Sequence, residues 1–83
     1  MTYKEFVSKL EAHSFCLLRF EKATGTTGKC LILYVESEVP IAAISLVADS
    51  WRFIDRSASF DATFLGAMAK LADTPKEQRG DWK

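Results

Sequence analysis

The chain lacks several features that would define a functional class at once. It contains no asparagine, and therefore no N-glycosylation site, and its 11 basic and 11 acidic side chains cancel to zero net charge. Because a basic excess supplies most of the affinity in non-specific phosphate binding, zero net charge argues against a protein built for that purpose. With 83 residues, of which 48% are hydrophobic, the chain can bury one core but not two. We expect a single small domain over residues 1–83.

Long apolar segments are missing as well. Residues 1–5 carry mixed charge and lack the apolar core of a signal peptide. The longest nearly uncharged run, residues 39–48, is far too short to span a bilayer. The sequence therefore predicts a cytoplasmic protein that does not enter a membrane.

Cysteine and histidine are scarce, with two Cys and one His in the chain. A hairpin turning near residues 25–28 would hold Cys16 and Cys30 on the order of 15 Å apart, too far for a disulfide. Cys16 alternates onto an apolar strand face, which favours a buried structural thiol, and His13 falls at the end of a predicted helix. The sequence offers neither a metal-binding motif nor a nucleophile with a positioned base. We therefore expect no catalytic residues, no cofactor and no metal.

The residues that are present predict an α+β fold. Thr2 and Glu5 have the spacing of a capping box, and apolar side chains recur on one face of a helix over residues 3–13. Residues 15–22 alternate between apolar and polar side chains, as a strand does. The run at residues 29–36 is apolar on both faces, which predicts a central strand.

The middle of the chain contains a turn and a segment with two interpretations. Glycines in the segment 23–28 predict the turn between the first two strands. Residues 39–47 favour a third strand, and residues 51–55 would be its hairpin partner. The third segment is also compatible with a helix, because Pro40 suits a first helical turn and apolar residues follow at helical spacing.

A second long helix is indicated near residue 60. Either Ser59 or Asp61 can cap it. Its apolar side is formed by Phe60, Phe64, Met68 and Leu71. An adjoining side of small residues, Ala62, Gly66 and Ala69, would permit close packing against a sheet or another helix.

The tail, residues 75–83, carries a second capping signal. Thr74 and Glu77 repeat the capping-box spacing, which predicts a short capped turn that is released at Gly80. This turn would carry Arg79 back toward the final helix. The last three residues are expected to fray.

Together these segments predict an N-terminal helix, a three- or four-stranded antiparallel meander and a C-terminal helix. Both helices most simply cover one face of the sheet, because each has one apolar side to bury. No internal repeat, linker or low-complexity segment divides the chain.

The candidate partner-binding residues are an aromatic pair and two arginines, Trp51, Phe53, Arg52 and Arg56. In a strand, Trp51 and Phe53 share one face, whereas the arginines lie on the other. An aromatic platform with neighbouring arginines is how sheet-type modules stack single-stranded bases. The alternative is that both aromatic side chains are core residues under the helices. Exposure of Trp51 on an open sheet face would distinguish the two interpretations.

The C-terminal stretch, residues 71–81, runs from a helix into a Thr-Pro-x-x-x-Arg motif formed by Thr74, Pro75 and Arg79. Together with the Tyr-Lys-Glu-Phe-Val sequence at residues 3–7, this layout resembles small phage and prophage proteins of Gram-positive bacteria. The chain departs from those proteins in its neutral, alanine-rich final helix, where many of them are strongly charged. The resemblance implies a cytoplasmic accessory protein of phage origin in a bacterial host cell, acting by binding and without known catalytic residues.

The missing catalytic groups leave two hypotheses for function. The first is a non-enzymatic module that binds a protein partner or forms a homodimer, because an antiparallel sheet can leave an apolar face or an edge uncovered. The second is a single-stranded nucleic-acid-binding module that uses the aromatic and arginine side chains. Zero net charge counts against the second hypothesis.

Overall fold

A computed structural model of the protein describes residues 1–23, 29–36, 38–55 and 60–83. The elements follow in the order α1 (Tyr3–Ser14), β1 (Leu18–Lys22), β2 (Cys30–Val35), β3 (Val39–Ser45), β4 (Trp51–Phe53), α2 (Ala62–Asp73) and a 3₁₀ turn (Lys76–Gln78). The turn predicted between the first two strands lies almost entirely outside the described residues, and so does Ser59.

The four strands form one antiparallel sheet in the meander order β1-β2-β3-β4, as predicted. β3 is a strand rather than a helix, which decides between the two interpretations of that segment. The β2–β3 register shifts between Leu33 and Tyr34, where Ile41 is an extra residue in β3. A bulge of this kind tolerates Pro40 inside a sheet, because the hydrogen-bond ladder is already interrupted there.

α1 and α2 pack on the same face of the sheet, around Phe6. The centroid of the Phe6 ring lies 5.6 Å from that of Phe20 in β1 and 5.6 Å from that of Trp51 in β4. In α2, the ring of Phe64 lies 6.3 Å away. Burying such a side chain contributes about 1.5–3 kcal/mol, so this cluster holds the two layers together.

The opposite face of the sheet is turned away from both helices and is more polar. Strand register places Arg19, Tyr34 and Arg52 on it. The guanidinium carbon of Arg19 lies 4.4 Å from the centre of the Tyr34 ring, and Arg19 also pairs with Glu21 at 2.6 Å. These contacts leave the polar face covered by its own side chains.

Two details near the helices differ from the sequence-based expectation. The strand predicted from residue 15 begins only at Leu18, because Phe15 ends α1 in a left-handed conformation that cannot join a strand.

The small residues of α2, Ala62, Gly66 and Ala69, are all exposed. The expected close packing of that side does not occur, because α2 meets the sheet through its larger apolar side chains.

The predicted cap at Thr74 is wrong. The 3₁₀ turn has no side-chain cap, and the Thr74 hydroxyl instead donates to the Lys70 carbonyl at 2.8 Å. It also accepts a hydrogen bond from the amino group of Met1 at 3.0 Å. The chain does turn back after α2 as predicted, and Gly80 ends the turn with a φ of 78°. The cause of the bend lies elsewhere, in Arg79.

Arg79 is buried, with 1% of its surface exposed. Its guanidinium group donates to three carbonyl oxygens, those of Thr74 (2.8 Å), Ala72 (3.2 Å) and Ser45 (3.1 Å). Its own carbonyl accepts from the Tyr3 amide at 2.8 Å. Carbonyls at a helix C-terminus lack partners within the helix and attract cations. The single side chain therefore closes α2 and ties the tail to α1 and β3.

The last three residues contact the rest of the chain. Trp82 is half-buried and packs against the core, and the Lys83 amide donates to the Asp81 carboxylate at 3.0 Å. The fraying of this segment stays a prediction, which burial of the indole ring opposes.

Candidate functional site

Three of the four residues predicted to bind a partner form β4. Trp51 lies under the helices, where its indole Nε1 donates to the Met68 carbonyl of α2 at 2.8 Å. Phe53 shares that side of the sheet and is 47% exposed at its edge, whereas Arg52 lies on the opposite face. Arg56 lies outside the described residues. Trp51, Phe53 and Arg52 nevertheless line one broad depression along β4, in which Trp51 is half-buried.

A different surface exposes a group of large apolar side chains at one end of the molecule. It is built from the end of α1, the start of β1, the β2–β3 turn, the end of β4 and the start of α2. Its exposed apolar side chains are Phe15 (93% exposed), Leu17 (70%), Val39 (46%) and Ile54 (39%). Backbone hydrogen bonds join these segments, from the Glu36 amide to the Leu17 carbonyl and from the Ile54 amide to the Ile41 carbonyl. We call this surface the apolar end.

Phe15 is held in an unusual conformation. Its φ of 59° and ψ of 24° lie in the left-handed region, which glycine or asparagine usually occupies at a helix end. Adopting it costs an ordinary residue about 1–2 kcal/mol. The Phe15 amide donates to the Glu11 carbonyl at 2.9 Å, and the Glu11 carboxylate accepts from the Leu18 amide at 2.9 Å. The segment is thus fixed on both sides, and neither burial nor backbone preference explains an aromatic residue there.

A cavity of about 370 Å³ opens at this end. Its apolar wall combines side chains of the sheet and of the α2 region, namely Leu18, Val35, Val39, Ile41, Phe60 and Phe64. Ligand pockets commonly run from about 300 to 1,000 Å³. The cavity is therefore at the small end of that range and suits one or two bulky side chains better than a large cofactor.

Two polar residues line the same cavity and hold each other. His13 Nε2 lies 2.7 Å from Asp61 Oδ2. The other oxygen of Asp61 accepts from the Phe64 amide at 2.9 Å and so caps α2, as predicted. The hydrogen bond from His13, and after it the one from the Phe64 backbone, hold the pKa of Asp61 below its ordinary value of 3.8. This pair links α1 to α2 across the cavity.

The thiol of Cys16 lies on the cavity as well. It is free and half-buried, so the sequence-based expectation of a buried thiol is met only in part. In the described part of the chain it makes no hydrogen bond with His13. The arrangement lacks the thiol–imidazole contact that activates a cysteine nucleophile. It can bind an apolar group, but it shows no assembled catalytic pair.

The apolar end is also acidic. Its described segments contain five carboxylates, Glu11, Glu36, Glu38, Asp55 and Asp61, against two arginines of the adjoining strands, Arg19 and Arg52. Glu36 and Glu38 are exposed and have no ion-pair partner among the described residues. The zero net charge of the whole chain therefore conceals an uneven distribution over its surface.

Sequence reasoning missed this surface because it assigned residues 15–17 to a strand. The available signal was the run Phe15, Cys16, Leu17 and Leu18, which is apolar on both faces although β1 turns out to be an edge strand. Because both helices pack on the same face of the sheet, each strand has only one covered face, so alternate side chains of this run had to be exposed.

The described residues also bear on metal and membrane binding. They contain no group of three or more His, Cys, Asp or Glu side chains that could hold a metal ion. None of the described helices is long and apolar enough to cross a membrane.

Fold and site together define a class: a small α+β protein with both helices on one sheet face and an acidic surface with exposed apolar side chains at one end. No protein-family model, no curated protein and no solved structure matches the chain.

Proposed function

We propose that the protein is a non-enzymatic accessory module that acts by binding another protein at its apolar end. The observation that carries this proposal is Phe15, an aromatic side chain that is 93% exposed on a left-handed backbone. A helix end shaped for stability alone would favour glycine at this position. Strained residues that persist in spite of their cost cluster at binding sites.

The surroundings of Phe15 favour a protein as the ligand. Leu17 is exposed near Phe15, and the cavity opens at the same end of the molecule. A partner protein can therefore contact the exposed side chains and the cavity at once. Exposed aromatic side chains next to apolar pockets are typical of the few residues that supply most of the binding energy in protein interfaces. A free small molecule would fill the cavity without using the protruding side chains.

Single-stranded nucleic-acid binding, the alternative hypothesis, gains no support from this geometry. Its platform needs an exposed Trp51, whose ring packs under the helices, and the carboxylates of the apolar end would repel phosphate. A phage origin and a location in the cytoplasm of a bacterial host, which the resemblance to phage proteins implies, are part of the proposal.

Leu17→Ser tests the proposal, with Val47→Ser as the matched control. Both side chains are exposed and apolar, at 70% and 65%, but Val47 lies at the opposite end of the molecule. The tagged variants are used to capture proteins from a lysate of the bacterial host, and the retained proteins are quantified by mass spectrometry. A protein retained by the unmodified chain and by Val47→Ser, but reduced about tenfold by Leu17→Ser, supports the proposal. Equal retention by all three chains, or no retained protein, contradicts it.

A further inference from the structure

The chemistry of the apolar end specifies the kind of partner, and this inference rests on the proposed function. We propose that the apolar end binds a basic amphipathic segment of another protein. One bulky apolar side chain of that segment enters the cavity, and flanking lysine or arginine side chains face the carboxylates around it.

The anchor of the segment is defined by the cavity. At about 370 Å³, with walls formed by Leu18, Ile41 and Phe64, the cavity accepts a single leucine, phenylalanine or tryptophan side chain. Phe15 and Leu17 do not line the cavity, but their chain neighbours do, so the two side chains offer further apolar contact outside it. A segment with one deep apolar anchor and further apolar contacts on the same side is an amphipathic segment.

The flanking charges are defined by the carboxylates of this end. Glu36 and Glu38 lie in the β2–β3 turn, are exposed, and have no ion-pair partner among the described residues. Arg19, the basic side chain of β1 nearest to this turn, pairs with Glu21 at 2.6 Å, so Glu36 and Glu38 remain available to an approaching cation. Complementary charge at the rim steers the correct partner and rejects others.

Backbone geometry places one carboxylate directly beside the apolar contact surface. Only Phe15 and Glu36 have a positive φ among the described non-glycine residues, and both belong to the apolar end. The Glu36 amide donates to the Leu17 carbonyl at 3.0 Å. An exposed apolar side chain and an exposed carboxylate are therefore neighbours on adjacent strands, which matches a partner that alternates apolar and basic groups.

The same charges argue against a second copy of the chain as the occupant. In a two-fold dimer the same surface patch meets itself. Glu36 and Glu38 of one copy would then face the identical carboxylates of the other, while Arg19 of each copy is already paired with its own Glu21. Like-charge contacts of this kind oppose association.

A random linear peptide display library, selected on the immobilised full-length chain, tests the inference. We expect the enriched peptides to share a bulky apolar residue flanked by Lys or Arg.

Glu36→Lys combined with Glu38→Lys should lower the affinity for a selected peptide roughly tenfold. Raising the salt concentration should also lower the affinity of the unmodified chain for that peptide. Asp73→Lys combined with Glu77→Lys is the matched control, because it changes the net charge equally at exposed sites of the opposite end. That control should leave the affinity unchanged.

The outcomes separate this inference from the proposed function. If the selected peptides need Leu17 but carry no basic residues, and the Glu36 and Glu38 variant binds them equally well, the inference is wrong and the proposed function stands. If no peptide is enriched, or none depends on Leu17, both fail. A concentration-dependent dimer in sedimentation that is lost in Leu17→Ser would also overturn the inference, in favour of a second copy.

Discussion

The two ends of the molecule use their most distinctive side chains in opposite ways. At the end where α2 meets the tail, which we call the closed end, the guanidinium of Arg79 is 1% exposed and donates to three carbonyl oxygens. At the apolar end, the ring of Phe15 is 93% exposed on a left-handed backbone. Arginine is the residue type expected at the surface, and phenylalanine is the one expected in the core.

The difference shows that burial here follows the available partners rather than side-chain polarity. Three carbonyls near the C-terminus of α2 and the end of β3 create a polar site that only a side chain with several donors can satisfy. Phe15 has no comparable partner and lies outside the aromatic cluster around Phe6. The closed end is thus organised for stability, and the apolar end retains exposed side chains that folding does not need.

Arg79→Ala is expected to have the largest effect on stability. It removes every donor that the three buried carbonyls use, so the free energy of unfolding should fall by about 3 kcal/mol or more. Chemical denaturation measures the change, and Lys76→Ala, at an exposed site of the same tail, should stay within about 0.5 kcal/mol of the unmodified protein. A loss below about 1 kcal/mol for Arg79→Ala would show that the closed end does not depend on the guanidinium.

Phe15→Gly should have a smaller effect of the opposite sign. Glycine adopts the left-handed conformation freely, and the ring buries almost nothing, so the free energy of unfolding should rise by about 1 kcal/mol. Partner capture should fall at the same time. Phe15→Ala is the control, because it removes the ring without relieving the backbone. If the glycine variant is no more stable than the alanine variant, the backbone at residue 15 is not strained.

The link between His13 and Asp61 should give the smallest effect, visible as a pH dependence. The pKa of Asp61 in the folded protein lies below its ordinary value of 3.8. The ionised Asp61 carboxylate therefore stabilises the folded protein fully above pH 3.8, and this stabilisation is lost as the pH falls through the folded-state pKa. Asp61→Asn keeps a residue that can cap α2 but cannot titrate. The difference in denaturation midpoint between the unmodified protein and Asp61→Asn should shrink as the pH falls below 3.8. A difference that stays constant down to strongly acidic pH would contradict this account.

Most of the secondary structure could be predicted because its causes are local. The capping box of Thr2 and Glu5 starts α1 as expected, with the Glu5 amide donating to the Thr2 hydroxyl at 3.1 Å. The Asp61 cap and the central position of β2 were likewise readable from a few neighbouring residues. The Thr74 cap followed the same rule and was wrong, because the hydroxyl oxygen accepts from the distant Met1 amino group instead of from an amide of the 3₁₀ turn.

The candidate site could not be predicted in the same way. Trp51 and Phe53 were chosen for their residue types, but the packing of α1 and α2 decides which sheet face is covered. The carboxylates of the apolar end come from four separate segments, so their proximity has no signature in any one stretch of sequence.

By itself, the sequence determined both helices, the first two strands and much of the core that they share, because spacing and capping act over a few residues. Only the tertiary structure decided that residues 39–45 form a strand, that Arg79 is buried and that Phe15 is exposed. The hydroxyl of Tyr3 lies 3.4 Å from the Arg79 guanidinium across a separation of 76 positions. Such contacts exist only after the layers pack, since donors and acceptors so far apart in the chain meet only when the core forms.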